Sequence, residues 1–109
     1  MADLGPSADR PIPELTEDAL RRFWSKVTLP DPESGCMLWT ASRVTNGYGQ
    51  ISVYGARYLA HRVAYSLAYG PIPGGMEMGH RCRNRECVSP DHLEVVTRQE
   101  NMRRHRASR

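Results

Sequence analysis

Residues 80–101, HRCRNRECVSPDHLEVVTRQEN, decide the reading of this chain. Within them Cys82, Cys87 and His92 follow a C-x4-C-x4-H spacing in a loop interrupted by Pro90. Thiolate and imidazole donors crowded into so short a polar loop can turn inward around one ion, and tetrahedral Zn2+ favours this ligand set. A further donor stands upstream at Cys36, at the head of a run of β-formers. Free cysteine commonly serves only as a small buried hydrophobe, which is the alternative for Cys36. Yet the chain's three cysteines cannot all pair with one another. An odd number in a chain without a secretory start points to metal binding or free thiols rather than a disulfide framework. Cys36, Cys82, Cys87 and His92 are therefore expected to form a structural zinc site with no open coordination position.

The flanks of the stretch read as strand and helix. MEMGH (76–80) is a short strand that delivers His80, and EVV (94–96) is a second. Thr97 and Glu100 then form a T-x-x-E capping box, so Asn101 falls in the first turn of a final helix. His80 lies two residues before Cys82, on the same face of an extended strand, but the zinc set is complete without it. A spare imidazole beside a basic loop is a natural general base, because it titrates near neutrality. Asn101 offers a hard carbonyl oxygen of the kind Mg2+ accepts while keeping water and phosphate in the rest of its shell. Alone, a His is more often structural and an Asn in a first turn more often a cap. The combined pattern H-x-C-x4-C-x4-H-x8-N is far more specific.

Further out, Leu20, Phe23, Trp24 and Val27 make the stripe of an amphipathic helix, with Thr16 as its N-cap. Leu15 and Leu20 stand where a hydrophobic staple would form, and Pro30 and Pro32 close the element. CMLWT (36–40) and YGQISVY (48–54) read as β runs with Asn46-Gly47 as a turn between them and Tyr54-Gly55 as another. Leu59, Val63 and Leu67 recur every four residues in a central helix that Gly70-Pro71 stops. The organisation expected is a flexible lead-in over 1–14, a single domain over 15–106 with its core motif at about 76–106, and a basic tail over 107–109. At 109 residues and 39% hydrophobic content one modest core is possible, and small cores benefit from a staple.

With these residues in hand, the chain resembles a known group. The segment 80–101 is similar to the active-site core of His-Me finger (ββα-metal) or HNH nucleases, closest to the His-Cys box homing endonucleases and the phage and intron HNH proteins. GCMLWT, NGYG and AHRVAYSLAYGPIP resemble the same group, so the likeness covers roughly residues 20–103. It implies an α+β fold: a small zinc-stapled His-Me finger with an N-terminal helix, a β-hairpin region and a central helix. It further implies a Mg2+-dependent DNA endonuclease, with Mn2+ as a substitute metal, leaving 5′-phosphate and 3′-hydroxyl ends. By position, His80 matches the general base and Asn101 the sole protein ligand of the catalytic metal. An arginine of the preceding region matches the phosphate contact, with Arg57 the first candidate and Arg62 the second. Three departures stand out. Gly79 occupies the place of an aspartate that many relatives use as a second ligand, Ser89 replaces an asparagine before the loop proline, and no cysteines follow Cys87 to build a second zinc site.

Charge distribution points to the same partner. Net charge is +3, but residues 1–20 hold five acids against Arg10 alone, and the last twelve residues hold five arginines and one glutamate. Such segregation suits an anionic partner, of which nucleic acid is the commonest. Arg81, Arg83 and Arg85 in the loop and Arg103, Arg104 and Arg106 in the final helix are the expected contacts to double-stranded DNA. Phosphate contacts of this kind give salt-dependent affinity with little sequence information. The segment from Asn46 to Tyr58 is the better candidate for entering a groove. No apolar run approaches the roughly 20 residues of a membrane span, and the start lacks the pattern of a signal peptide. An intracellular, cytoplasmic setting, with a phage or mobile-element origin, is the expectation. A double-strand break would most simply need a homodimer. The rival readings are a zinc-stabilised DNA-binding module without catalysis and a structural zinc domain. The first has no need of His80 together with Asn101, and the second predicts no salt-sensitive DNA affinity, which the arginine clustering opposes.

Overall fold

The computed structural model describes residues 11–74 and 76–107, apart from the side chains of 104–107. Helix α1 spans Glu17–Trp24, strands β1 and β2 span Gln50–Val53 and Ala56–Leu59, and helix α2 follows directly over Ala60–Tyr69. Strand β3 (Glu77–His80), a 3-10 turn at Pro90–His92, strand β4 (Leu93–Val96) and helix α3 (Arg98–Ala107) complete the order. This is the expected small α+β architecture with two antiparallel two-stranded sheets.

Helix α1 begins where the sequence places it. Thr16 Oγ1 accepts from the Ala19 N–H at 3.2 Å, and Glu17 and Asp18 sit at the positive end of the helix dipole. The helix stops at Trp24, one turn short of the full stripe. Ser25 Oγ donates to the Arg22 carbonyl, and Val27 leaves the helix to bridge Trp39. Buried Ala19 and Phe23 carry the helix's inner face, and Phe23 packs 5.2 Å from Trp39, both fully buried. Ile12, Leu20 and Val27 pack at the edge of the same core.

The β1–β2 hairpin turns at Tyr54-Gly55, whose φ angles of 52° and 81° are those a two-residue type I′ turn requires. The Tyr54 hydroxyl accepts from the Thr16 N–H at 2.9 Å and so ties this turn to the start of α1. Asn46-Gly47 makes a separate, looser turn closed by the Arg43–Gly49 bridge. Cys36–Thr40, expected as a strand, forms only isolated bridges. Its two edges serve different neighbours. Leu38 O accepts from Thr28 on one side, while Met37 O accepts from Val88 and Trp39 N donates to Glu86 O on the other. No partner strand runs alongside for long enough to make a ladder. The segment instead laces the exit of α1 to the loop at 81–92, which is what carries Cys36 to Cys87.

Helix α2 buries five consecutive residues, Ala60 to Ala64, rather than a single stripe. Its first turns run through the core, so His61 and Arg62 are enclosed along with Val63. The helix ends at Gly70, whose φ of 98° only glycine adopts readily. β3 and β4 pair from Glu77–Val96 to His80–Leu93 and support α3.

Candidate metal centre and active site

The four donors expected for zinc converge. The donor atoms of Cys36, Cys82, Cys87 and His92 all lie within 4.8 Å of one another. His92 Nδ1 is 3.4 Å from Cys87 Sγ and 3.7 Å from Cys36 Sγ. A tetrahedron with Zn–S bonds of about 2.3 Å and Zn–N bonds of about 2.0 Å has S···N edges of roughly 3.5 Å, so the set fits zinc. No other group of three or more potential metal ligands occurs among the described residues.

Local chemistry presents each donor. Asp31 accepts from the N–H groups of Glu33 and Ser34, and Ser34 Oγ accepts from the Cys36 N–H, folding a tight turn behind Cys36. Those bonds, from Ser34 first, hold the Asp31 carboxyl below its usual range. Gly35 in this turn has φ 77°, and a Cβ there would stand 3.3 Å from the His92 ring. Pro90 starts the 3-10 turn that carries His92, and Asp91 is held by the Tyr69 hydroxyl at 2.7 Å. Burial pushes the Cys87 thiol up to about 12 and also raises Cys82. At Cys36 burial works the same way, but hydrogen bonds from Ser34, Cys87, Cys82 and Asn84 outweigh it and the thiol is lowered. Three such thiols ionise together only around a cation.

His80 is outside this group, as expected, but it touches it. Strand β3 ends at His80 and the chain turns at once, so the strand alternation expected to align it with Cys82 does not continue. His80 Nε2 lies 2.9 Å from the Cys87 carbonyl oxygen. A carbonyl only accepts, so Nε2 carries the proton and donates it, and Nδ1 keeps its lone pair. The peptide of a candidate metal ligand thus sets the tautomer of His80. Burial lowers the His80 pKa from 6.5, and the charge of Arg85 lowers it further against the opposing bond to Cys87. The ring is neutral at pH 7 and can accept a proton.

Two further rings fix His80. His61 lies 4.9 Å from it and Tyr48 5.7 Å, with Tyr48 and His61 stacked at 5.0 Å. Arg85 lies over Tyr48 at 5.4 Å and donates to the Asn46 carbonyl at 2.9 Å, which ties the Asn46-Gly47 turn to the metal loop. His61 is fully enclosed; burial first, then His80 and Arg62, drive its pKa well below 6.5, so it is neutral. The sequence reading missed His61, because nothing in the spacing of a helix reports that its first turn enters the core.

Asn101 sits in the first turn of α3, its N–H bonded to the Thr97 carbonyl at 3.0 Å. Glu100 N–H donates to Thr97 Oγ1 at 3.1 Å, the first half of the expected capping box. The Asn101 side-chain Nδ2 donates to Glu77 Oε1 at 2.9 Å. A carboxylate only accepts, so the amide nitrogen faces Glu77 and the Oδ1 oxygen faces away from it. That oxygen is the hard donor Mg2+ takes. Glu77 was also missed, although its place three residues before His80 on the same strand was visible.

Arg81, Arg83 and Arg85 are exposed while Cys82, Asn84 and Glu86 between them are half-buried, so the loop displays its arginines on one side. Arg81 approaches Glu94 at 3.8 Å, and Arg103 approaches Glu100 at 3.7 Å. The side chains of Arg104 and Arg106 lie outside the described residues. Arg57 is half-buried on β2, whereas Arg62 is buried on α2.

Residues 58–103 match the family model described as HNH endonuclease, a span that holds His61, Glu77, His80, Cys82, Cys87, His92 and Asn101 but not Cys36, Tyr48 or Arg57. The segment resembles an HNH endonuclease domain. Among curated proteins, the chain is 36% identical over 66 residues to Protein 7.7 of Escherichia phage T7, covering 61% of this chain and 51% of that protein. It is 37% identical over 90 residues to Protein 2.8 of the same phage, covering 81% and 57%. It is 29% identical over 76 residues to an uncharacterized gene 5.3 protein of Enterobacteria phage T3, covering 63% and 75%. The chain thus spans little more than half of the first two relatives. No solved structure matches it. No helix among the described residues is long and apolar enough to cross a membrane. The likeness to an HNH endonuclease domain thus falls on the segment that carries three of the four donors of a metal-ligand group that suits zinc.

Proposed function

We propose that this HNH chain is a Mg2+-dependent endonuclease that hydrolyses double-stranded DNA to 5′-phosphate and 3′-hydroxyl ends. The observation that carries the reading is the hydrogen bond from His80 Nε2 to the Cys87 carbonyl, which leaves Nδ1 unprotonated beside the structural metal group. His80 Nδ1 takes a proton from water as its oxygen forms a bond to phosphorus, the bond from phosphorus to the 3′ oxygen breaks, and the departing oxygen takes a proton from solvent water to become the 3′-hydroxyl. Zinc on Cys36, Cys82, Cys87 and His92 would hold the loop that orients His80. Asn101 Oδ1 would hold Mg2+, which would neutralise phosphate charge and stabilise the departing oxygen. Between the two candidate arginines, half-buried Arg57 is favoured over buried Arg62 for contact with the phosphate. Arg81, Arg83, Arg85, Arg103, Arg104 and Arg106 hold the backbone, and two copies act together where both strands are cut. The phage origin of the relatives is in keeping with action inside an infected cell.

The test is incubation of the zinc-loaded protein with supercoiled plasmid, with and without Mg2+, followed by analysis of the product ends. Mg2+-dependent nicking or linearisation with ligatable ends is expected. Tight DNA binding without cleavage in Mg2+ or Mn2+ would instead indicate a binding module.

A further inference from the structure

Asn101 is placed where a cation is hard to hold. It lies in the first turn of α3, and the N-terminal end of a helix carries about half a positive charge, which repels a metal ion. Its side chain is an amide, which brings no charge of its own and can present either oxygen or nitrogen. Something must turn the oxygen outward and offset the helix field. Glu77 is built to do both. It projects from the first position of β3, the strand packed under α3, and its Oε1 accepts from Asn101 Nδ2 at 2.9 Å. A flipped amide would set two oxygens against each other, so this contact selects the orientation in which Oδ1 is free. The carboxylate also adds a negative charge within reach of the same turn. Groups that orient a metal ligand in this way typically change metal affinity about 10–100-fold when removed.

We infer that Glu77 is a positioning residue for the divalent cation: it fixes the Asn101 amide for metal binding and offsets the helix field, without itself being a ligand. The inference rests on the assignment of Asn101 as the metal-binding residue. It separates the two ends of β3 into distinct tasks, with Glu77 organising the cation and His80 organising the proton.

The test is Mn2+ binding, followed by electron paramagnetic resonance of free Mn2+, to the zinc-loaded full chain as wild type, Glu77→Ala, Glu77→Gln, Glu77→Met and Asn101→Ala. Zinc content and thermal midpoint are measured for each. Asn101→Ala should abolish the tight Mn2+ site. Glu77→Ala and the volume-matched Glu77→Met should weaken it about 10–100-fold with one zinc retained. Glu77→Gln still accepts from Asn101 and loses only the charge, so it should fall within about fivefold of wild type. Wild-type affinity in Glu77→Ala or Glu77→Met, with Asn101→Ala still defective, would overturn the role of Glu77 alone. A loss in Glu77→Gln as large as in Glu77→Ala would make the carboxylate a direct ligand and also overturn it. Unchanged binding in Asn101→Ala would remove the assignment on which the inference stands.

Discussion

Replacing Gly49 by alanine puts a number on how the core supports the site. A Cβ at Gly49 would stand 2.4 Å from Trp39 Cδ1 and 2.6 Å from Cγ, closer than any real methyl group approaches an indole. Trp39 cannot yield easily. It is fully buried against Phe23, and its Nε1 donates to the Ser42 carbonyl at 2.9 Å. Gly49 cannot yield either, because its carbonyl accepts from Ala60 N at the start of α2. Overpacking usually costs about 1–3 kcal/mol, and two anchored partners place this case at or above 2 kcal/mol. For a domain of this size that lowers the thermal midpoint by about 8–16 °C. The assay is thermal unfolding by circular dichroism with zinc in slight excess, using Gly55→Ala for comparison. Nothing lies within 4 Å of a Cβ at Gly55, so that change costs only the strain of its φ of 81°, about 1–2 kcal/mol. Because Tyr48 precedes Gly49 and stacks on His61, Gly49→Ala should also slow any cleavage that depends on His80. A Gly49→Ala midpoint within 2 °C of wild type would refute the packing argument.

Removing zinc with a strong chelator should unfold the loop at 81–92 and reduce the helical signal; an unchanged spectrum would show that the four donors are not a structural site. Zinc affinity should fall as pH falls, because the raised thiols of Cys82 and Cys87 must lose protons to bind, and proton release is measurable by calorimetry. Cleavage should rise with pH below about 6.5 and level off by neutrality, because burial holds His80 below its ordinary value and only the neutral ring accepts a proton; a rise centred above pH 7.5 would contradict the assignment. Arg85→Ala should weaken DNA binding in low salt and flatten its salt dependence, since Arg85 is exposed beside His80; an identical salt slope would remove Arg85 from the interface. His61 is neutral when folded but protonates near 6.5 when unfolded, so stability should be full above that pH and decline below it. Denaturant titration of His61→Phe should show a shallower decline, and an equal one would contradict the burial argument.

The elements that the sequence announced are those whose signals are local. Thr16 caps α1, Gly70 ends α2 and Thr97 caps α3 because each acts on backbone groups within a few residues. The metal group was legible for a related reason. Three of its four donors lie in one short loop, and few other roles suit that many thiols in a chain without disulfides. What escaped depended on contacts between distant segments. Cys36–Thr40 has the composition of a strand, but its two edges are claimed by Thr28 and by residues 86–88. His61 is hidden because α2 enters the core end-on rather than lying across it. Glu77 meets Asn101 across 24 positions, and Gly49 meets Trp39 through a bent segment that no periodicity describes. The catalytic roles of His80 and Asn101 were suggested by their chemistry and spacing and completed by likeness to HNH nucleases; the tautomer of His80 and the orientation of Asn101 come from the geometry.

The most direct test of the account is cleavage of supercoiled plasmid by wild type and His80→Ala, both zinc-loaded and matched for DNA affinity. On the proposed mechanism the ring of His80 acts on a proton rather than on the metal or the duplex. Its loss should therefore slow cleavage by about 10²–10⁴-fold while zinc content and DNA binding stay the same. Cleavage by His80→Ala at the wild-type rate would contradict the central claim.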